Sequence, residues 1–267
     1  VQPSLETFVE FRMNHGSLFS GIGGFDLPAE RMGWNNSFHC EIDPWNQKLL
    51  HQHFPNSVQY GDITTTDFSI WRGRIDVLTG GFPCQDASNG KSFGEGQKGL
   101  EGARTGLYWH MLRAIKEIQP RIVVAENVSN IIKINGGRDF YRILKSLSEI
   151  GYDAEWDCFT ASQFGAPHHR ERVYLVAYAR DLGLSEGEHV LSTVVQAASP
   201  ERRDIAGATV QVGGAWDVEP PLYRMDDGFS AKLDKDYYHS VKGVGNAVLP
   251  QIPFSIFKSL ARFLSPV

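Results

Sequence analysis

One pattern constrains the fold more than any other. Short apolar runs recur, each stops at a glycine turn or a carboxylate, and helix-periodic segments separate them. Ser17-Leu18-Phe19 runs into Ser20-Gly21-Ile22-Gly23-Gly24. The run from Ser37 ends at Glu41-Ile42-Asp43, and Ser57 to Tyr60 ends at Gly61-Asp62-Ile63. Ile75 to Thr79 enters Gly80-Gly81-Phe82-Pro83-Cys84, and Arg121 to Ala125 stops at Glu126-Asn127-Val128. Runs of this length read as strands, with amphipathic helices returning the chain between them. Leu107, Met111, Leu112, Ile115 and Ile118 recur at helical spacing before Pro120, as do Phe140, Ile143, Leu144, Leu147 and Ile150 before Gly151. The alternation predicts an α/β fold with a mainly parallel sheet. In such a sheet, ligands bind beyond the carboxyl ends of the strands.

The remaining chain fits around that frame. Tyr152 to Thr160 and Arg172 to Tyr178 form a hairpin-like pair of strands, and Ile252, Ile256, Phe257, Leu260 and Leu264 mark a last helix. Leu5, Phe8, Val9 and Phe11 could line a short N-terminal helix; a leader, a vector remnant and a genuine helix all stay open for residues 1–12, and no function attaches to them. Asp181 to Gly214 is polar and short of large apolar residues, and reads as irregular. The division expected is an extension over 1–14, a catalytic domain over 15–180, a short recognition region over 181–241 and a returning segment over 242–267. Cys40, Cys84 and Cys158 form neither a disulfide framework nor a metal pattern, which points to a reducing compartment such as the cytoplasm. No apolar run is long enough for a membrane span and no signal peptide is visible. With a net charge of −5, any nucleic-acid binding must use a local basic face.

Side-chain chemistry clusters at the predicted strand ends. Cys84 follows a buried strand on a proline-fixed turn, a place for a nucleophilic thiolate or for a small buried thiol. The Gly21–Gly24 turn lets the backbone approach a ligand. Glu41 is placed to bind ribose hydroxyls, while Asp43, followed by Pro44, fits a helix cap better. Asp62 can accept from an amino group. Glycine turn, Glu41 and Asp62 at successive strand ends suggest an adenosine site. Glu126, directly after an apolar strand, is either a desolvated acid or a helix cap. Arg170 and Arg172 alternate onto one strand face, where they can donate to a base carbonyl, a phosphate or Glu126. His168 and His169 have no evident third metal ligand.

Taken together, Phe19-Ser-Gly-Ile-Gly-Gly24, Glu41, Gly61-Asp62-Ile63, Gly81-Phe-Pro-Cys-Gln85, Glu126-Asn-Val128, Arg170-Glu-Arg172 and Gly245-Asn246 closely resemble, in order, the motifs of the DNA cytosine-5 methyltransferases. The resemblance covers about residues 17–178 and 242–264. It implies a Rossmann-like S-adenosylmethionine-dependent fold with helices on both faces of the sheet and the last helix beside the first strand. It implies S-adenosylmethionine as cofactor, converted to S-adenosylhomocysteine. Its contacts would be Phe19, Gly21, Gly23, Gly24, Glu41, Ile42, Asp62, Ile63, Pro83, Leu107, Asn246 and Val248. Cys84 would be the nucleophile, Glu126 the partner of the base edge, and Arg170 and Arg172 the supporting cations. The substrate would be a flipped-out cytosine in double-stranded DNA. Gln85, which with Pro83 shapes the Cys84 loop, would be a DNA contact, as would Ser88, Lys91 and Lys98 on a lid running from Ala87 to Gly102.

Three features depart from the family. His168 stands where the family has Gln, and a structural role is expected for it. The segment before Gly245 holds no clear Arg-x-Leu-Thr-x-Arg-Glu stretch, for which Glu219–Arg224 is a reduced substitute. The chain is acidic overall. A short recognition site, a helper DNA-recognition protein and a cognate restriction endonuclease therefore stay open as partners, as does a phage origin. Two other functions also stay open. One is a tRNA cytosine-5 methyltransferase, whose Cys-Phe-Thr signature is matched by Cys158-Phe159-Thr160, here taken as coincidence because it precedes Arg170. The other is an inactive DNA- or cofactor-binding module.

Overall fold

The structure, a computed structural model, describes residues 12–83, 106–166, 168–182, 189–198 and 247–264. Its strands are β1 (Asn14–Leu18), β2 (Asn35–Cys40), β3 (Val58–Tyr60), β4 (Val77–Gly80), β5 (Ile122–Val128), β6 (Tyr152–Thr160) and β7 (Glu171–Ala179). They form one sheet in the order β3-β2-β1-β4-β5-β7-β6. The first five strands run parallel, and β7 is antiparallel to both β5 and β6. The chain steps outward from β1 to β3, then restarts at β4 on the other side of β1. That reversal leaves a crevice past the carboxyl ends of β1 and β4, the switch point at which open α/β sheets take ligands.

Alternating strand residues feed two cores. Leu78, Val123, Ala125, Leu175 and Ala177 point to one face, packed by α3 (Leu107–Ile118) and α4 (Arg138–Glu149) through Met111, Ile115, Phe140, Ile143 and Leu147. Val77, Ile122, Val124 and Val176 point to the other, packed by α1 (Asp26–Arg31), α5 (Val190–Ala198) and α6 (Gln251–Leu264). The helix α2 (Pro44–His53) follows β2 and is capped, as expected, by the Asp43 carboxylate accepting from the Trp45 N–H. The last helix returns beside the first strand: Phe257 of α6 stacks on Trp34 at 4.6 Å and lies 6.2 Å from the ring of His15 on β1.

Two elements differ from the sequence reading. First, β5 does not stop at Ala125. It continues to Val128 because β7 pairs with it through Glu126↔Tyr174 and Val128↔Arg172. Second, the polar stretch after residue 180 contains the helix α5. Its Val190, Leu191 and Val194 are buried, and Glu155 on β6 accepts from the Val190 and Leu191 N–H groups at 2.8 and 3.3 Å. A carboxylate from another element caps this helix, so its start carried no local capping signal. The short helix read for residues 1–12 lies outside the described residues apart from Arg12.

Candidate active site

The crevice is built around Glu41, the first residue past β2. Its two carboxylate oxygens accept from the N–H of Gly21 at 2.7 Å and of Asp43 at 2.8 Å. The glycine turn and the start of α2 are thereby fixed to one buried acid. Gly21 has φ +56° with open space where a Cβ would stand, and Phe19 is held at φ +52° while packing on the core. Gly24 is required for another reason: a Cβ there would lie 2.7 Å from the carbonyl oxygen of Val248. The segment before α6 thus seats on the glycine turn. Gly23, at φ +91°, would bring a Cβ to 3.0 Å from Phe54. Beside Glu41, the Ile42 side chain is 68% exposed, an apolar surface next to a polar cleft.

At the end of β3, Asp62 accepts from the Thr64 N–H at 2.8 Å, and this bond holds its carboxyl below the usual carboxylate range. Ile63 is buried in the core, and Leu107 packs against the same core from the start of α3. An oriented acid, glycines that admit close approach and an exposed isoleucine fit a nucleoside with a ribose and an apolar base. Asn246 lies outside the described residues.

The second half of the crevice lies past β4 and β5. Glu126 forms an ion pair with Arg172, Oε1 to Nε at 3.1 Å. Burial pushes its carboxyl above the ordinary range, and the charges of Arg172 and Arg170 oppose that rise. The Arg170 guanidinium is pulled below its ordinary value by burial and by Arg172. A Cβ on Gly81 would stand 3.3 Å from Glu126 Oε2 and 3.8 Å from Val248 Cγ2. The turn that leads through Pro83 to Cys84 therefore lies against Glu126, and Val248 touches both halves of the crevice. Cys84, Gln85, Ser88, Lys91, Lys98 and the expected lid lie outside the described residues. His168 and His169 are exposed, and no group of residues able to hold a metal ion occurs among the described residues. Cys158 and Phe159 lie on β6 with Phe159 fully buried, and Thr160 caps the turn that follows.

Sequence reasoning assigned no role to Asn127. Buried beside Glu126, it donates from Nδ2 to the Phe82 carbonyl at 3.0 Å and accepts the Val128 N–H at 2.8 Å. It ties the turn before Cys84 to the strand that carries Glu126. The available signal was a polar residue inside an otherwise apolar strand, legible only once β5 is known to extend past Ala125.

Compared with known proteins, residues 13–215 match the family model for the C-5 cytosine-specific DNA methylases. Type II methyltransferase M.PspPI of Psychrobacter sp. is 37% identical over 167 residues, covering 62% of this chain and 39% of its own length. Type II methyltransferase M.HhaI of Haemophilus parahaemolyticus is 32% identical over 168 residues, covering 62% and 49%. Among solved structures, a candidate DNA modification methyltransferase encoded within an E. coli prophage superposes with TM-score 0.55 at 28% identity. That match covers 67% of this chain and 50% of the other. The chain thus spans about half or less of the length of these relatives.

Proposed function

The chain belongs to the C-5 cytosine-specific DNA methylases, and from that premise we propose that it methylates C5 of a flipped-out cytosine in double-stranded DNA through a covalent Cys84 adduct. The observation that carries this reading is the Glu126–Arg172 ion pair set against the Gly81-Phe82-Pro83 turn. It sets an acid of raised pKa and its paired cation against Gly81, in the turn that leads to the nucleophile.

C5 of cytosine is too weak a nucleophile to accept a methyl group unaided. The Cys84 thiolate adds to C6, and the C5=C6 electron pair is drawn into the ring towards N3 and O2. Glu126 delivers a proton at N3, and Arg172 with Arg170 stabilises the charge developing at O2. C5 is now enamine-like. S-adenosylmethionine supplies the electrophilic methyl group when bound in the crevice. Glu41 would hold its ribose hydroxyls, Ile42 would pack on its adenine, Asp62 would accept from the adenine amino group, and the Gly21–Gly24 turn would leave room for its close approach. A base then removes the C5 proton, the electrons expel the Cys84 thiolate, and Glu126 recovers the proton from N3. Burial raises the pKa of Glu126 against the opposing charges of Arg172 and Arg170, which eases uptake of the proton that the first step delivers.

Its type II methyltransferase relatives support a role in restriction–modification. Incubation with a 5-fluorocytosine duplex and S-adenosylmethionine tests the reading. A covalent adduct is expected, and it disappears in Cys84→Ala. An adduct on tRNA alone would move the substrate to RNA, and no adduct on either would leave a binding module. Methylome sequencing of DNA from cells expressing the chain would identify the target site.

A further inference from the structure

We propose that Arg113, on α3, is a positioning residue that holds the Asp62 loop in shape for the adenosine end of the cofactor. This inference rests on the cofactor reading above. The loop needs such a clamp. It follows β3, a three-residue strand that among the described residues stands at the sheet edge and pairs with β2 alone, and Asp62 itself is only partly buried.

Arg113 reaches across from the neighbouring layer. Its Nη2 donates to the Ile63 carbonyl at 2.6 Å, and its Nη1 donates to the Thr66 carbonyl at 3.0 Å. The same Nη1 pairs with Glu117 Oε1 at 2.6 Å, and Glu117 Oε2 accepts the Phe68 N–H at 2.9 Å. One Arg–Glu pair therefore grips the loop at three backbone points, two within the turn that the Thr66 hydroxyl closes on the Asp62 carbonyl at 2.7 Å and one just beyond it. The planar fork of a guanidinium can span two carbonyls and a carboxylate at once; a lysine ammonium is a point charge on a flexible stem. Asp62 is thus presented in one geometry before any ligand arrives, which removes an ordering cost from binding. The clamp stands on α3, whose Tyr108 also packs on Phe82 of the Gly81–Pro83 turn with ring centroids 5.3 Å apart.

The test is calorimetric binding of S-adenosylhomocysteine and of adenosine to the full chain, with wild type, Arg113→Gln, Arg113→Lys and Glu117→Gln. Arg113→Gln is expected to weaken both ligands by about tenfold, and by a similar factor, because the loop faces the portion they share. Arg113→Lys should recover little of the loss, and kcat at saturating S-adenosylmethionine should stay within about threefold of wild type. If Arg113→Gln fails to fold, Glu117→Gln should show a smaller loss of the same pattern. Unchanged affinity in a variant with a lowered melting temperature would reduce Arg113 to a structural residue and overturn the proposal. A loss confined to S-adenosylhomocysteine would also overturn it. If wild type binds neither ligand, the cofactor reading itself fails, and the clamp's role with it.

Discussion

Asp26 offers the sharpest test of the electrostatics beneath the crevice. It directly follows the glycine turn, is fully buried, and neither carboxylate oxygen has a hydrogen-bond partner. Burial raises its pKa from 3.8 to about 7; the Ser17 hydroxyl and its own backbone N–H lie near enough to favour the charged form a little, but neither makes a hydrogen bond to it, so the rise is only partly offset. Because the folded value is raised, the native state holds the proton more tightly than the unfolded chain. The contribution of Asp26 to stability is therefore greatest below pH 3.8 and falls as pH rises to about 7, after which the cost is constant. The full shift corresponds to about 4 kcal/mol, of which about 2–3 kcal/mol develops between pH 5 and pH 8. Asp26→Asn keeps the shape and removes the titration. Urea unfolding of both proteins between pH 5 and pH 8 should show the variant gaining about 2–3 kcal/mol on wild type across that range. Since the comparison is a difference of slopes, any constant cost of the amide drops out. Parallel pH profiles would refute the reasoning, because they would mean that the carboxyl finds water or a partner in the folded state.

Three further outcomes follow from the geometry. His15, buried between Asn36 Oδ1 at 2.7 Å and Thr79 Oγ1 at 2.9 Å, has its pKa lowered from 6.5 to about 4. Its contribution is therefore complete above pH 6.5 and is lost as pH falls towards 4, so His15→Gln should flatten the acid limb of the stability profile. Asn127→Ala removes the partner of the buried Phe82 carbonyl and should cost about 1–3 kcal/mol in thermal melts. Adduct formation by Cys84 should fall further than the lost stability explains, since the turn before it is released. Gly24→Ala drives a methyl group into the Val248 carbonyl. It should destabilise by about 1–3 kcal/mol and weaken S-adenosylhomocysteine in equilibrium binding, whereas Gly33→Ala, with open space at that position, should show only the backbone penalty of its positive φ.

The sequence by itself determined the strand–helix alternation, the strand ends at which chemistry collects and the family. Apolar periodicity and turn residues are local signals, and Glu41, Asp43, Asp62 and Glu126 announce themselves by standing where a buried run meets the crevice. Only the tertiary structure decided how those ends are held. Glu126 lies on a strand because β7 comes back antiparallel to pair with it. α5 is a helix capped by Glu155 from another element. Arg113 and Asn127 matter for the backbone carbonyls they reach 50 and 45 residues away. A hydrogen bond to a distant carbonyl leaves no trace in composition or spacing, because the acceptor is a main-chain group that every residue carries. For the same reason the ion pair of Glu126 was one option among several for Arg172 until the sheet brought the two side chains within 3.1 Å.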